Sequence, residues 1–219
     1  MVNTLVVNIY AGPGAGKSTS AAYIFSKLKM RGISAEYVTE YAKDVVWDGT
    51  PDKIRNQVYI TGKQSYRMQR VYGKVDVIIT DSPLALGYVY TDSLAMKNVC
   101  IEEARKYEKN SVNLLLTRSP EYTYQKVGRN QTEDEAKELD EEIRLLLKYV
   151  AKFPFIETGT SVEELDKIVD AIDRGLHPIE VEGQISMDEL DKISKAIERK
   201  LHPVVVVGPA NSIITPEAN

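Results

Sequence analysis

The chain has 219 residues and a mass of 24.6 kDa, which suits one domain of ordinary size or one domain with a short appendage. Its 43% hydrophobic and 27% charged residues, with 13 glycines and 9 prolines, exclude the disordered, collagen-like and low-complexity classes. A net charge of −4 and a sequence pI of about 5.4 argue against a dominant cationic surface for nucleic acid or membrane and leave room only for a local basic groove.

Short apolar runs alternate with longer helical stretches. Leu5–Tyr10 reads as a buried strand, and Lys17–Met30 as a helix with Ala21, Ala22, Ile24, Phe25 and Leu28 on its apolar face. Arg31-Gly32 ends that helix, with glycine at the left-handed stop. Ala35–Val38 reads as a second strand, and residues 51–71 as one long polar helix closed by Tyr72-Gly73. Residues 75–80 read as a third strand, 99–109 as a helix and 111–117 as a fourth strand. A charged amphipathic helix is expected over 132–152, opened by a capping box from Thr132 to Glu135. Phe155-Ile156 starts a short fifth strand, and 161–174 is helical with Glu163 and Glu164 in its first turn. Apolar strands joined by helical crossovers predict an α/β fold with a mainly parallel five-stranded sheet covered on both faces.

The C-terminal part carries an internal repeat. Residues 161–178 recur as 186–203, an offset of 25 positions, and both histidines, His177 and His202, lie within it. No cysteine or carboxylate spacing supports a metal site there, so a duplicated helix-plus-strand unit is expected. The expected division is a domain over 1–180 and an extension over 181–219 that ends in a loose tail. The second copy is expected to pack beside the first or against another subunit, as a homo-oligomer contact. The single cysteine, Cys100, excludes an internal disulfide and reads as a small buried apolar residue in a reducing, intracellular compartment. No apolar run is long enough to span a bilayer, no membrane partner is expected, and no signal peptide is read at the N-terminus.

Ala11-Gly-Pro-Gly-Ala-Gly-Lys-Ser18 follows the first strand and opens the first helix, the P-loop pattern with Ala11 in place of the first glycine. Gly12, Pro13, Gly14, Ala15 and Gly16 wrap a loop whose N–H groups, with the helix N-terminus, bind polyphosphate. Lys17 reaches the β- and γ-phosphates, Ser18 offers a hydroxyl to Mg²⁺, and Thr19 helps hold the phosphates. Asp81 ends the third strand at the crevice where open α/β sheets bind ligands, the place for a magnesium-holding acid. A capping or turn aspartate before Ser82-Pro83 is the plainer alternative. Glu40 ends the second strand at the same edge, so Glu40 and Asp81 are the two candidates to accept a proton from an attacking hydroxyl. Arg129, in Lys126-Val-Gly-Arg-Asn130, is placed to clamp phosphates from a lid, with Lys126 and Arg118 as weaker candidates. Tyr41 and Trp47 could stack on a base, with core packing equally open to Trp47. Gln57, Gln64, Arg67 and Arg70 lie on the polar helix and either bond an acceptor or are solvated.

The order of these motifs, with Thr39-Glu-Tyr-Ala-Lys-Asp44, Gln57-Val-Tyr-Ile-Thr-Gly-Lys-Gln64 and Ile79-Thr-Asp-Ser-Pro83 after the P-loop, resembles the AAA-type P-loop family that contains the ribosylnicotinamide kinase domain of NadR. Stand-alone bacteriophage members are more similar still, and phage kinases of 5-hydroxymethyluracil in DNA, placed near thymidylate kinases, look similar. The resemblance covers roughly residues 4–174 and implies a three-layer α/β/α P-loop NTPase sandwich, ATP and Mg²⁺. It implies phosphate transfer to a nucleoside-like small molecule or modified DNA, in the cytoplasm, that of the host for a phage protein. It supports Lys17, Ser18, Asp81, Glu40 and Arg129 in the roles above. Deoxynucleoside kinases carry an acidic-Arg-Ser element where this chain has Asp81-Ser82-Pro83, which puts their acceptor contact in doubt here. The competing expectation is an acceptor-free NTPase or nucleotide-binding regulatory protein. The lack of an Asn-Lys-x-Asp guanine-reading element weakens its GTPase form.

Overall fold

The computed structural model describes residues 2–119 and 132–176. Lys126, Arg129, both histidines, the second repeat copy and the 181–219 extension lie outside the described residues. Five strands form one sheet: β1 (Leu5–Tyr10), β2 (Ala35–Val38), β3 (Val77–Thr80), β4 (Ser111–Leu116) and β5 (Phe155–Thr158). Their order is β2-β3-β1-β4-β5 with every pairing parallel, the five-stranded parallel sheet that the alternating runs predict. The helices are α1 (Lys17–Met30), α2 (Tyr41–Trp47), α3 (Pro51–Arg55), α4 (Gln57–Gln69), α5 (Leu94–Arg105), α6 (Glu133–Leu145) and α7 (Val162–Leu176).

Alternation along each strand sorts the core into two layers. Leu5, Val7 and Ile9 face α1 and α7, where they pack with Ile24, Leu28, Leu165, Ile168 and Ile172. Tyr23 Oη donates to Asp166 (2.7 Å), and Arg31 bonds Asp170 (2.5 Å) and Asp173 (3.1 Å), so α7 is held on α1 by polar pairs at its rim. Val6 and Tyr10 face the opposite layer, against Met68 of α4, Ile101 of α5 and Ile143 of α6. That second layer also takes in polar groups. Asn8 Nδ2 donates to Asn113 Oδ1 across the β1–β4 pair (3.0 Å), and Asn113 Nδ2 donates to the Pro154 carbonyl (2.9 Å). Cys100 is fully buried there, as expected, and burial pushes its thiol up.

Several boundaries differ from the sequence reading, each for a local reason. The long helix over 51–71 is two helices, because Asn56 leaves helical backbone (φ −85°, ψ 86°) and its side chain caps α4 by accepting from Tyr59 N (3.1 Å). An additional helix, α2, precedes them. β3 starts at Val77 rather than Val75, since Asp76 N and Val77 N both turn onto the Ser34 carbonyl (2.8 and 3.1 Å). α5 begins earlier than residue 99, at a Ser93 cap, and stops at Arg105; residues 108–110 form a separate 3₁₀ turn. The helix expected to 152 has its capping box at Thr132 and Glu135 but is α-helical only to Leu145. A π-helical turn, Leu146–Ala151, follows and ends at Lys152 with left-handed backbone (φ 56°).

Candidate functional site

All five strands deliver a residue to one mouth, at their C-terminal ends. In spatial order these are Glu40 after β2, Asp81 after β3, the loop from Ala11 after β1, Arg118 after β4 and Thr160 after β5. The connection out of β1 runs toward β2 and that out of β4 toward β5, so the crevice opens where they diverge.

The loop gets its shape from glycine where no other residue is at ease. Gly14 and Gly16 have φ of 80° and 91°, and Gly16 caps α1 with no side-chain bond, which leaves the first N–H groups of the helix for a ligand. Gly12 is needed for space: a Cβ there would run into the Ala136 carbonyl and lie 2.8 Å from Asp140 Oδ1. Lys17 Nζ curls over the loop and donates to the carbonyls of Ala11 (2.7 Å) and Gly12 (3.0 Å). Burial pushes the Lys17 ammonium below the usual lysine range, while Glu40, Asp81 and Asp140 pull it up and Arg118 pushes it down. The five groups therefore share one electrostatic neighbourhood. Thr19 is exposed on the first turn of α1, with Ser18 half-buried beside it.

Asp81 is 3% exposed, and its Oδ1 has no hydrogen-bond partner among the described residues. A buried carboxylate oxygen left without a donor costs free energy, so such an atom is suited to a cation. Tyr37, on β2, brings its hydroxyl against both Asp81 and Ser18. Burial first, then the Asp81 charge and hydrogen bond, push that phenol far up, with Ser18 opposing. Asp81 and Ser18 thus offer hard oxygen ligands on one spot. That donor set fits Mg²⁺, which takes one or two side chains and completes its shell from phosphate and water.

Glu40 caps α2 through backbone geometry (φ −63°, ψ 121°), and its carboxylate makes no hydrogen bond or ion pair among the described residues. Burial raises its pKa, with Lys17 opposing and Asp81 adding to the rise. The turn that carries it is clamped from α4. Gln64, 3% exposed, accepts from Tyr41 N (2.9 Å) and donates to the Thr39 carbonyl (3.3 Å). Arg67 donates to the same carbonyl (3.2 Å), pairs with Asp44 and lies over the Tyr41 ring. Gln64 and Arg67 share a helix face as the spacing predicts, and that face grips the Glu40 turn. Gln57 instead donates to Thr61 (3.1 Å) beside Gly87. Tyr41 bonds the Tyr59 hydroxyl (2.6 Å), and Arg70 is exposed. Trp47 is 68% exposed at the end of α2, so the core-packing alternative fails.

Arg118 does more than the sequence reading gave it. Its NH2 donates to the Pro13 carbonyl (2.9 Å) and the Ala136 carbonyl (3.0 Å), and its Nε donates to Asp140 (2.5 Å). Asp140 in turn accepts from Gly12 N (2.6 Å). Thr160 lies against Gly16, its Oγ1 buried and without a partner among the described residues. Tyr37, Asp140 and Thr160 were missed because nothing near them in sequence marks them. Tyr37 has only the faint signal of a polar-tipped aromatic ring one residue before a strand's end.

No curated protein matches the sequence significantly. The AAA domain family matches residues 6–164, a span that runs from β1 into α7 and takes in the cradle, both carboxylates and Arg118. That span is most of the chain, and the chain belongs to the AAA domain family, of P-loop NTPase type.

Proposed function

We propose that the chain is an ATP-dependent kinase that transfers the γ-phosphate to a hydroxyl of a nucleoside-like acceptor. One observation carries this reading: Glu40 follows β2, two strands from the cradle and at the same mouth, with a carboxylate that makes no hydrogen bond or ion pair among the described residues. Glu40 and Asp81 stand on the β2–β3 side of the loop, and the Arg118–Asp140 pair on the other. A group that must lose a proton is best placed on the acid side.

In this reading the loop N–H groups and Lys17 hold the triphosphate. The acceptor O–H gives its proton to Glu40 while its oxygen attacks the γ-phosphorus, and the bond from that phosphorus to the bridging oxygen breaks to release ADP. Magnesium held by Ser18 and Asp81 would neutralise charge on the phosphates. Tyr37 orients both of those side chains. Arg129 is proposed to clamp the transferring group. The proposed acceptors are a nucleoside-like small molecule or a hydroxymethylated base in DNA, as in the NadR-like and phage kinases. The homo-oligomer contact through the C-terminal repeat also stands as a proposal.

A transfer assay tests the reading. γ-Labelled ATP is offered with ribosylnicotinamide, deoxynucleosides, their monophosphates and hydroxymethylated DNA. Label on one of them supports a kinase and names the acceptor. Label released only to water, whatever is offered, makes the protein an acceptor-free NTPase.

A further inference from the structure

The Arg118–Asp140 pair is more elaborate than an ordinary surface ion pair. Both side chains are 20% exposed, and their contacts go to backbone atoms of the phosphate loop as well as to each other. Asp140 spends one oxygen on Gly12 N and the other on Arg118 Nε. Arg118 adds bonds to the carbonyls of Pro13 and Ala136. With Lys17 on the carbonyls of Ala11 and Gly12, the polar backbone groups at the loop entrance are held by side chains from β4's end, α6 and α1.

The position of the two residues in the chain gives the arrangement its meaning. Arg118 comes just before segment 120–131, and Asp140 lies on the helix that follows it. The pair ties both flanks of that segment to one stretch of the loop. Gly12 leaves no room for slack, because any side chain there would strike Ala136, Asp140 and Arg118.

We propose that Arg118 and Asp140 act as one positioning unit that fixes the entrance of the phosphate loop in its nucleotide-binding shape. The inference rests on reading the loop as a triphosphate cradle. It makes a prediction whose sign differs from that of simple charge counting. Asp140 is an anion beside a site for polyanions, so on charge alone its removal should tighten nucleotide binding. As a positioning residue its replacement by Asn should weaken binding, because Gly12 N keeps at most a neutral acceptor while Arg118 Nε meets an NH2 donor in place of its anchoring oxygen.

The experiment is Mg·ATP affinity by calorimetry on the full chain for wild type, Asp140→Asn, Arg118→Lys and the double variant, with circular dichroism and thermal unfolding alongside. The expected result is a loss of about tenfold or more in affinity for each single variant, typical of a hydrogen bond to a charged group. Arg118→Lys keeps the charge but not the fork that reaches three acceptors at once, so it should lose affinity too. The double variant should be no worse than the weaker single one, since the two residues act as a unit. Wild-type or tighter binding by Asp140→Asn overturns the proposal, as does full additivity in the double variant. If Asp140→Asn does not fold, Arg118→Lys decides: wild-type affinity overturns the proposal and a tenfold loss supports it. A wild-type protein that takes up no Mg·ATP refutes the cradle itself, which is a different outcome from equal binding by all four proteins.

Discussion

The two sides of the crevice are built on different principles. On the side of β1 and β4, the loop backbone is held atom by atom. Lys17, Arg118 and Asp140 satisfy successive carbonyls and an N–H, and two glycines sit at φ values that other residues avoid. On the side of β2, a single glutamate stands on a turn between a four-residue strand and a seven-residue helix, held from behind by α4. The surroundings on that side are looser, with Trp47, Val58 and Tyr66 each more than half exposed. The contrast teaches that phosphate, the same group in every nucleotide, can be met by fixed backbone. In the proposed kinase, the acceptor would be met by side chains on short, adjustable elements.

The largest blow to this contrast should come at its fixed side. Lys17→Ala removes the ammonium that folds over the loop and should lower turnover by about 10³-fold or more, with the circular dichroism spectrum unchanged. Unaltered turnover would mean the loop is only a turn. Asp81→Asn tests the boundary between the two sides. It should lower magnesium-dependent turnover by about 10²-fold or more and, without magnesium, raise the unfolding midpoint, because it relieves a buried carboxylate oxygen that has no partner among the described residues. A fall in both turnover and midpoint would make Asp81 a structural residue.

The difference between the sides also explains what could be read from the sequence. The loop is contiguous, so spacing alone carried Gly12 to Ser18, and the apolar strands carried the sheet. Asp81 could be read as an acid at a strand end. Asp140 could not, because it reaches Gly12 from 128 residues away through a packing angle that no local pattern encodes. The break at Asn56 escaped for the opposite reason: one side chain bonding Tyr59 N overrode an otherwise helical run. Gln64 was visible as a polar residue on a helix, but its work on Thr39 and Tyr41 depends on where α4 lies against β2.

Glu40→Gln tests the acceptor side directly. Turnover should fall by about 10²-fold with ATP affinity retained, since the amide keeps the shape and loses the base. The pH profile adds a second measurement. As the proposed base Glu40 would work as the anion, and burial raises its pKa, so kcat/KM should fall on the acid side at a pH above the ordinary carboxylate range. As the proposed phosphate ligand Lys17 would work as the cation, and burial lowers its pKa, so the alkaline limb should begin below the usual lysine range. Glu40→Gln should abolish the acid limb and leave the alkaline one. If the acid limb survives in that variant, Asp81 becomes the base.

The smallest expected effect separates the turn from the residue it carries. Gln64→Met keeps most of the volume but removes, at a buried side chain, an acceptor for Tyr41 N and a donor for the Thr39 carbonyl. Leaving Tyr41 N without its acceptor should cost about 1–3 kcal/mol of stability. Arg67 still holds Thr39, so the turn should loosen without leaving its place, and turnover should fall only about tenfold. Looser packing admits water to Glu40, and its raised pKa comes mainly from burial. The acid limb of the profile should therefore move toward lower pH in Gln64→Met. A tenfold loss with an unmoved limb would mean that Gln64 touches the acceptor itself, which would place the acceptor against α4.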